Sequence, residues 1–148
     1  MTFPASCRIE LNYEGGNDMY TNMTTNLMVG NVEKSIAFYQ DILGFVVVVS
    51  VPSKEGGLQF AILAKDNLTI MVQEKNNLME EYPVLKAEKL CPSVTLYITV
   101  DDLDRLYDEM KKNHTVNTDM HTSFYGAREF AVTDADGYVL TFTENSGE

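Results

Sequence analysis

The sequence is poor in residue types that mark several classes of protein. Its 148 residues include two cysteines, two histidines and no tryptophan, and 11 basic residues stand against 22 acidic ones, for a formal net charge of -11. Two cysteines make no disulfide framework, which favours a reducing cytoplasm as the protein's location. Nucleic-acid binding needs clustered lysines and arginines, and the sequence has no such stripe, so no nucleic-acid partner is expected.

Long apolar runs are also missing. The apolar runs reach no more than five residues, as in Phe45-Val46-Val47-Val48-Val49, a length that suits a strand and is far below the roughly 20 residues that cross a bilayer. The first residues do not have the basic and apolar regions of a secretory signal, so no membrane partner or export is expected. The acidity favours a cationic or neutral ligand over an anionic one.

A pattern of one strand, one helix and three strands occurs twice. In the first half, the predicted helix begins after Asn31 and ends at Gly44, and the predicted strands are 26–29, 45–51, 58–64 and 68–74. In the second half, the helix begins after Asp101 or Asp102, and the strands are 94–100, 115–120, 124–133 and 138–144. The polar connection between the halves has a predicted helical turn at 77–82.

This repeat predicts an α+β fold in which two βαβββ modules form curled mixed sheets around a concave cavity. We expect an N-terminal arm at 1–22, with a short alternating segment at Cys7–Leu11, and a single domain at 23–148. Within that domain the expected parts are module one at about 23–74, a linker at 75–92 and module two at about 93–144.

Two segments resemble the vicinal oxygen chelate superfamily, which includes glyoxalase I, extradiol dioxygenases and bleomycin resistance proteins. The first is Leu27–Tyr39 followed by Leu43-Gly44-Phe45, and the second is Phe124–Phe130 followed by Asp134–Tyr138. The resemblance extends over about residues 24–144 and implies the tandem-module fold of that superfamily.

Metal-dependent members of this superfamily hold a divalent metal with His, Gln or Glu at four strand positions. The resemblance carries these positions onto Thr24, Met71, Thr95 and Thr141. Three hydroxyls and a thioether are poor ligands for Zn, Ni, Mn or Fe, so neither a metal nor a cofactor is expected. The histidines, His114 and His121, lie outside these positions and are expected to be exposed.

The missing ligand set implies the bleomycin-resistance-like branch, whose members bind small molecules without metal chemistry, usually as homodimers with grooves at the subunit interface. We therefore expect a metal-free, dimeric protein that sequesters or senses a hydrophobic, neutral or cationic ligand, with no catalytic residue assigned. The alternative is a glyoxalase- or dioxygenase-like enzyme with a relocated or atypical metal site. Glu74 and Glu144, which the repeat relates, are conceivable donors, although solvated strand ends are the favoured interpretation.

The candidate ligand-binding residues are strand residues that alternation places on the concave faces of the sheets, together with aromatic residues suited to stacking. They supply polar or polarisable groups from the strands and aromatic rings that would stack on a planar ligand: Thr24, Phe60, Met71, Gln73, Tyr82, Thr95, Tyr97, Phe124, Tyr125 and Thr141. For Phe60, a position in the core is favoured. Bleomycin binders commonly stack the drug on tryptophan, so without tryptophan bleomycin itself is not favoured.

Overall fold

The helices and strands of the computed structural model follow the predicted order. The structure describes residues 19–145, so the predicted segment at Cys7–Leu11 lies outside the described residues. The elements are β1 Thr25–Val29, α1 Val32–Asp41, β2 Val46–Pro52, β3 Leu58–Lys65, β4 Leu68–Glu74, α2 Lys75–Glu81, a 3₁₀ turn Pro83–Leu85, β5 Thr95–Val100, α3 Leu103–Asn113, β6 Thr118–Thr122, β7 Arg128–Thr133 and β8 Val139–Glu144.

The strands form two four-stranded mixed sheets with the same topology. Their orders are β1-β4-β3-β2 and β5-β8-β7-β6. In each sheet the first and last strands of the module pair in parallel, and the other neighbours are antiparallel. The α+β class and the tandem βαβββ arrangement are therefore confirmed. We refer to β1–β4 with α1 as module one and to β5–β8 with α3 as module two.

The predicted helix ends are confirmed by their hydrogen bonds. The Asn31 side chain accepts from the Lys34 amide at 2.8 Å, and the Asp102 side chain accepts from the Arg105 amide at 3.1 Å. Both contacts satisfy an amide that has no partner within the helix. After α1, Gly44 has φ 74°, a left-handed conformation that suits glycine.

Three predicted boundaries are wrong. Strand β7 begins at Arg128 rather than at residue 124, because Gly126 has φ 88° and the Ser123 amide bonds to the Ala127 carbonyl in a turn. Strand β6 lies at 118–122 rather than 115–120. The linker forms two turns of helix, which start earlier than predicted because Glu74 accepts from the amides of Asn76 and Asn77.

One apolar core joins the two modules. Alternate strand residues point into it, and helices α1 and α3 cover it. Its most deeply buried members include Leu27, Val29, Leu63 and Val72 from module one and Phe130, Val132 and Leu140 from module two. The alternate strand residues that point away from the core form the second face of each sheet. We call this second face the open face of its module. No helix within residues 19–145 is long and apolar enough to span a membrane.

A buried hydrogen bond crosses between the modules. The Tyr39 hydroxyl on α1 donates to Asp134 Oδ2 at 2.8 Å, in the turn between β7 and β8. Asp134 Oδ1 also accepts from the amides of Asp136 and Tyr138. Burial raises the pKa of both Tyr39 and Asp134, so the phenol stays a neutral donor. In addition, the Tyr138 hydroxyl donates to the Met28 carbonyl at 2.8 Å.

The substitution Tyr39→Phe should lower the free energy of unfolding by about 1.5–3 kcal/mol, because the buried Asp134 carboxylate loses one of its three donors. The measurement is urea denaturation followed by circular dichroism. Tyr107→Phe is the matched control, since the Tyr107 hydroxyl bonds to Asp119 at an exposed site, and its effect should stay within about 0.5 kcal/mol. Equal effects of the two substitutions would contradict a special role for the buried bond.

Candidate functional site

The open face of module one carries both polar and apolar side chains. Strand register places Asn26 beside Met71 and Met71 beside Ile62, and it places Gln73 beside Phe60. Ala61 and Leu63 on the other face of β3 are fully buried, whereas Phe60 is partly exposed. Phe60 therefore belongs to the open face, and the expectation that it lies in the core is wrong.

Gln73 is buried in a network of side-chain amides. Its carbonyl oxygen accepts from Asn26 Nδ2 at 2.8 Å, and its Nε2 donates to Asn77 Oδ1 at 2.7 Å and to Glu81 Oε2 at 2.8 Å. Asn77 and Glu81 lie on α2, so this helix covers the end of the face. The buried Asn26 Oδ1 has no hydrogen-bond partner within the described residues. Gln73 thus connects α2 to the sheet, and Asn26 keeps one free acceptor.

The open face of module two is built from β5, β8 and β7. Register places Tyr97 beside Thr141, Thr141 beside Ala131, and Thr143 beside Glu129. Their neighbours Phe130, Leu140 and Phe142 point into the core. Thr141 therefore shares a face of the sheet with Val139 and Thr143, as predicted. Thr95 and Tyr97 lie beside Val139 and Thr141 on that same face.

A cavity of about 410 Å³ lies where the two modules meet. Three of the candidate residues line it: Thr24 before β1, and Thr95 and Tyr97 on β5. Thr69 and Leu68 from module one and Ile98 and Leu140 from module two complete much of the wall. Of the four positions implied for a metal, this cavity brings together Thr24 and Thr95. Met71 lies on β4, the neighbour of β1, and Thr141 lies on β8, the neighbour of β5. Neither residue lines this cavity.

A larger groove of about 1060 Å³ lies at the other ends of β1 and β4, and none of the candidate residues lines it. Its acidic side chains include Glu33 and Glu74, which already accept backbone hydrogen bonds. The Leu58 amide donates to Glu33 at 2.6 Å, and Glu74 caps α2. These carboxylates therefore stabilise local backbone, and we assign the candidate site to the smaller cavity and the adjoining open faces.

Glu129 is a buried carboxylate on the open face of module two, and it was not among the predicted site residues. It is 8% exposed. Its Oε2 accepts from the Tyr125 hydroxyl at 2.7 Å and from the Tyr97 hydroxyl at 3.1 Å. Hydrogen bonds with Tyr97 and Glu129 raise the pKa of Tyr125, which keeps the phenol protonated. The signal in the sequence was an acid in an otherwise apolar strand, on the same parity as Ala131.

Two aromatic candidates lie at the edges of the molecule. Phe124 is fully exposed in the turn between β6 and β7, where its ring meets Tyr125 edge-on with centroids 4.8 Å apart. Tyr82 is exposed at the end of α2. Phe124 therefore adjoins the Glu129 cluster, whereas Tyr82 does not line either cavity.

The histidines differ from each other. His114 is partly buried, packs edge-on against Phe38 with centroids 5.2 Å apart and contacts the Thr133 carbonyl, so the expectation that it is exposed is wrong. His121 is exposed, as expected, and its Nε2 lies 3.7 Å from Glu129 Oε1. It therefore faces the candidate site, although it occupies none of the four metal positions.

The residues present do not fit a divalent metal. The four implied positions carry hydroxyls and a thioether, and Glu74 and Glu144 are both at helix starts, where Glu144 accepts from the Leu103 amide at 3.4 Å. Residues 19–145 contain no group of three or more His, Cys, Asp and Glu side chains arranged to hold a metal ion. A relocated metal site therefore has no donor set in this part of the chain.

Comparison with known proteins identifies relatives of the whole domain. Residues 22–142 match the family described as the Glyoxalase/Bleomycin resistance protein/Dioxygenase superfamily. A bleomycin resistance protein of Geobacillus stearothermophilus is 30% identical over 125 residues, which cover 78% of this chain and 90% of that protein.

Solved structures show the same fold. A glyoxalase/bleomycin resistance protein/dioxygenase from Nocardioides superposes with a TM-score of 0.70 at 14% identity, covering 87% of each chain. The bleomycin-binding protein of Streptomyces verticillus, solved with copper(II)-bleomycin, superposes with a TM-score of 0.61 at 20% identity, covering 86% of this chain and 98% of that one. At these identities the likeness concerns the fold.

Proposed function

This chain belongs to the Glyoxalase/Bleomycin resistance protein/Dioxygenase superfamily, and from that membership we propose that it binds a small organic ligand without metal chemistry. The observation that carries the proposal is the cavity lined by Thr24, Thr95 and Tyr97 where the two modules meet. Concave sites at the junction of two structural units, with a few polar groups that can orient a molecule, are typical of ligand pockets. The relative at 30% identity is a bleomycin resistance protein, which supports binding rather than turnover.

The donor chemistry supports a metal-free site. A threonine hydroxyl is neutral at physiological pH and a thioether is soft, so Thr24, Met71, Thr95 and Thr141 offer no imidazole or carboxylate to a divalent ion. Each of these side chains is instead suited to van der Waals or single hydrogen-bond contacts with an organic molecule. The protein would then sequester or sense its ligand.

The wall of the site favours a ligand that is planar and either neutral or cationic. Tyr97, Tyr125 and Phe124 present aromatic rings, which gain most from stacking on flat molecules. The buried Glu129 carboxylate and the net charge of -11 disfavour anions. The candidate site contains no tryptophan, so we propose a ligand other than bleomycin.

We also propose that the protein is a cytoplasmic homodimer. The apolar residues Val46 and Val48 on the edge strand β2 are each 59% exposed. An exposed apolar edge strand is a surface that proteins usually cover. A second copy of the chain would cover it and would deepen the open faces into grooves.

A panel of planar aromatic compounds, neutral and cationic and including bleomycin, should contain at least one that raises the melting temperature. A ligand at 100 times its Kd stabilises the folded state by about 2.7 kcal/mol, which thermal-shift measurements detect. Thr95→Trp should greatly reduce the shift, because the indole occupies part of the cavity that Thr95 lines. Thr122→Trp is the control, since Thr122 is also an exposed strand residue and pairs with Arg128. Absence of any shift across the panel would contradict the proposal.

Protein purified without chelators should contain far less than one transition-metal ion per chain, as measured by elemental analysis. Added Zn²⁺ or Ni²⁺ should leave its melting temperature unchanged. The double variant Thr24→His, Thr95→His is the positive control, because both positions line one cavity and imidazole is a strong ligand for these ions. A stoichiometric metal in the unmodified protein would overturn the metal-free proposal.

Sedimentation velocity at micromolar concentration should give the mass of two chains. Val48→Lys should shift the protein towards the mass of one chain, because a charge on the covered edge must be desolvated. Val84→Lys is the matched control: Val84 is 92% exposed on the 3₁₀ turn rather than on the strand edge. A monomer for the unmodified protein, or equal effects of both variants, would count against dimerisation through β2.

A further inference from the structure

The charge of Glu129 is poorly compensated by the protein. A buried carboxylate usually pairs with lysine or arginine, because desolvation of an isolated charge is costly. Among the ion pairs of the described residues, Glu129 takes part only in the contact with His121, at 3.7 Å. Arg128, the neighbour in sequence, points away from this face and pairs with Asp104 at 2.7 Å.

The two oxygens of Glu129 differ in their surroundings. Oε2 accepts two phenolic hydrogen bonds, at 2.7 Å from Tyr125 and 3.1 Å from Tyr97. The contact recorded for Oε1 is His121 Nε2 at 3.7 Å, which is too long for a hydrogen bond. Oε1 therefore has acceptor capacity left, and the two phenols hold the carboxylate in a fixed orientation.

Two tyrosines bind this carboxylate through their hydroxyls, and one of them also lines the cavity. Tyr97 contacts Glu129 through its hydroxyl, is 42% exposed, and also lines the 410 Å³ cavity. The ring of Tyr125 packs edge-on against the exposed ring of Phe124. Aromatic faces attract cations, and a carboxylate within the same group of side chains adds a full opposite charge. The combination suits an organic cation that bears N–H groups.

We propose that Glu129 is the residue that selects the ligand, by accepting a hydrogen bond from a protonated amine, amidine or guanidine while the ligand's planar part lies against Tyr97, Tyr125 and Phe124. This inference rests on the proposed small-molecule-binding function and names the chemical class of the ligand. Oε1 receives the N–H group, and Tyr97 and Tyr125 act as positioning residues that keep the carboxylate in place. The open face of module one offers the amides of Asn26 and Gln73, and the nearby Glu81 carboxylate is already bonded to Gln73 Nε2 at 2.8 Å, so the cationic end belongs to module two.

Two probes of the same shape test the proposal: benzamidine, which is cationic, and benzamide, which is its neutral analogue. Both are titrated into ¹⁵N-labelled protein, and amide shift changes give the Kd of each. The unmodified protein should bind benzamidine at least tenfold more tightly than benzamide, with shifts concentrated at residues 97 and 123–131. Glu129→Gln should reduce this preference to within about twofold, because the amide retains the shape but not the charge.

Glu109→Gln is the matched control, since Glu109 lies exposed on α3 and its loss changes the net charge by the same amount. It should retain the tenfold preference. Tyr125→Phe serves as a second variant if Glu129→Gln does not fold. It removes one of the two phenolic donors that orient Oε2 but keeps the carboxylate, so its preference for benzamidine should fall below tenfold without being lost.

Equal binding of the two probes by the unmodified protein, or no binding of benzamidine, would overturn the selection by Glu129. So would a tenfold preference that survives in Glu129→Gln, or one that is unchanged in Tyr125→Phe. These outcomes are distinct from failure of the proposed function, which is decided by the broad panel and by Thr95→Trp. Some compounds could lose binding in Thr95→Trp and keep the same Kd in Glu129→Gln. That result would show a binding protein in which a residue other than Glu129 selects the ligand.

Discussion

The position of the two sheets depends on the buried hydrogen bond between Tyr39 and Asp134. A carboxylate removed from water needs donors, and Asp134 obtains them from one phenol of module one and two amides of its own turn. The chain segments involved are 95 residues apart in sequence. The cavity wall comes from both modules, and this bond and the Tyr138 contact to the Met28 carbonyl both join module one to module two.

The repeat produces two sheets of the same topology whose open faces have different chemistry. On module one, the central polar residue is Gln73, whose amide is saturated by Asn26 and by α2. On module two, the central polar residue is Glu129, which receives phenolic donors and carries a charge that no lysine or arginine in the described residues neutralises. The two open faces therefore differ in the central polar group that each one presents.

Much of the scaffold could be predicted because its signals are local. Asn31 and Asp102 cap their helices through side chains three residues from the amide they bind, and Gly44 supplies a left-handed exit. Strand alternation predicted which residues share a face. The start of β7 was missed because Phe124 and Tyr125 have strand propensity, and Gly126 nevertheless turns the chain. The position of Phe60 was missed because an aromatic residue in an apolar strand suits either face.

The sequence by itself determined the fold class and the repeat, because these depend on spacing along the chain. Only the tertiary structure decided that Thr24 and Thr95 share a cavity, that Gln73 is saturated by α2, and that Tyr97, Tyr125 and His121 converge on Glu129. The physical reason is that desolvation and hydrogen-bond partners are set by the packing of distant segments. Glu129 and Glu144 both lie in strands of module two, yet their surroundings differ. Glu129 is a buried carboxylate on the open face, whereas Glu144 accepts a hydrogen bond from the Leu103 amide at the start of α3.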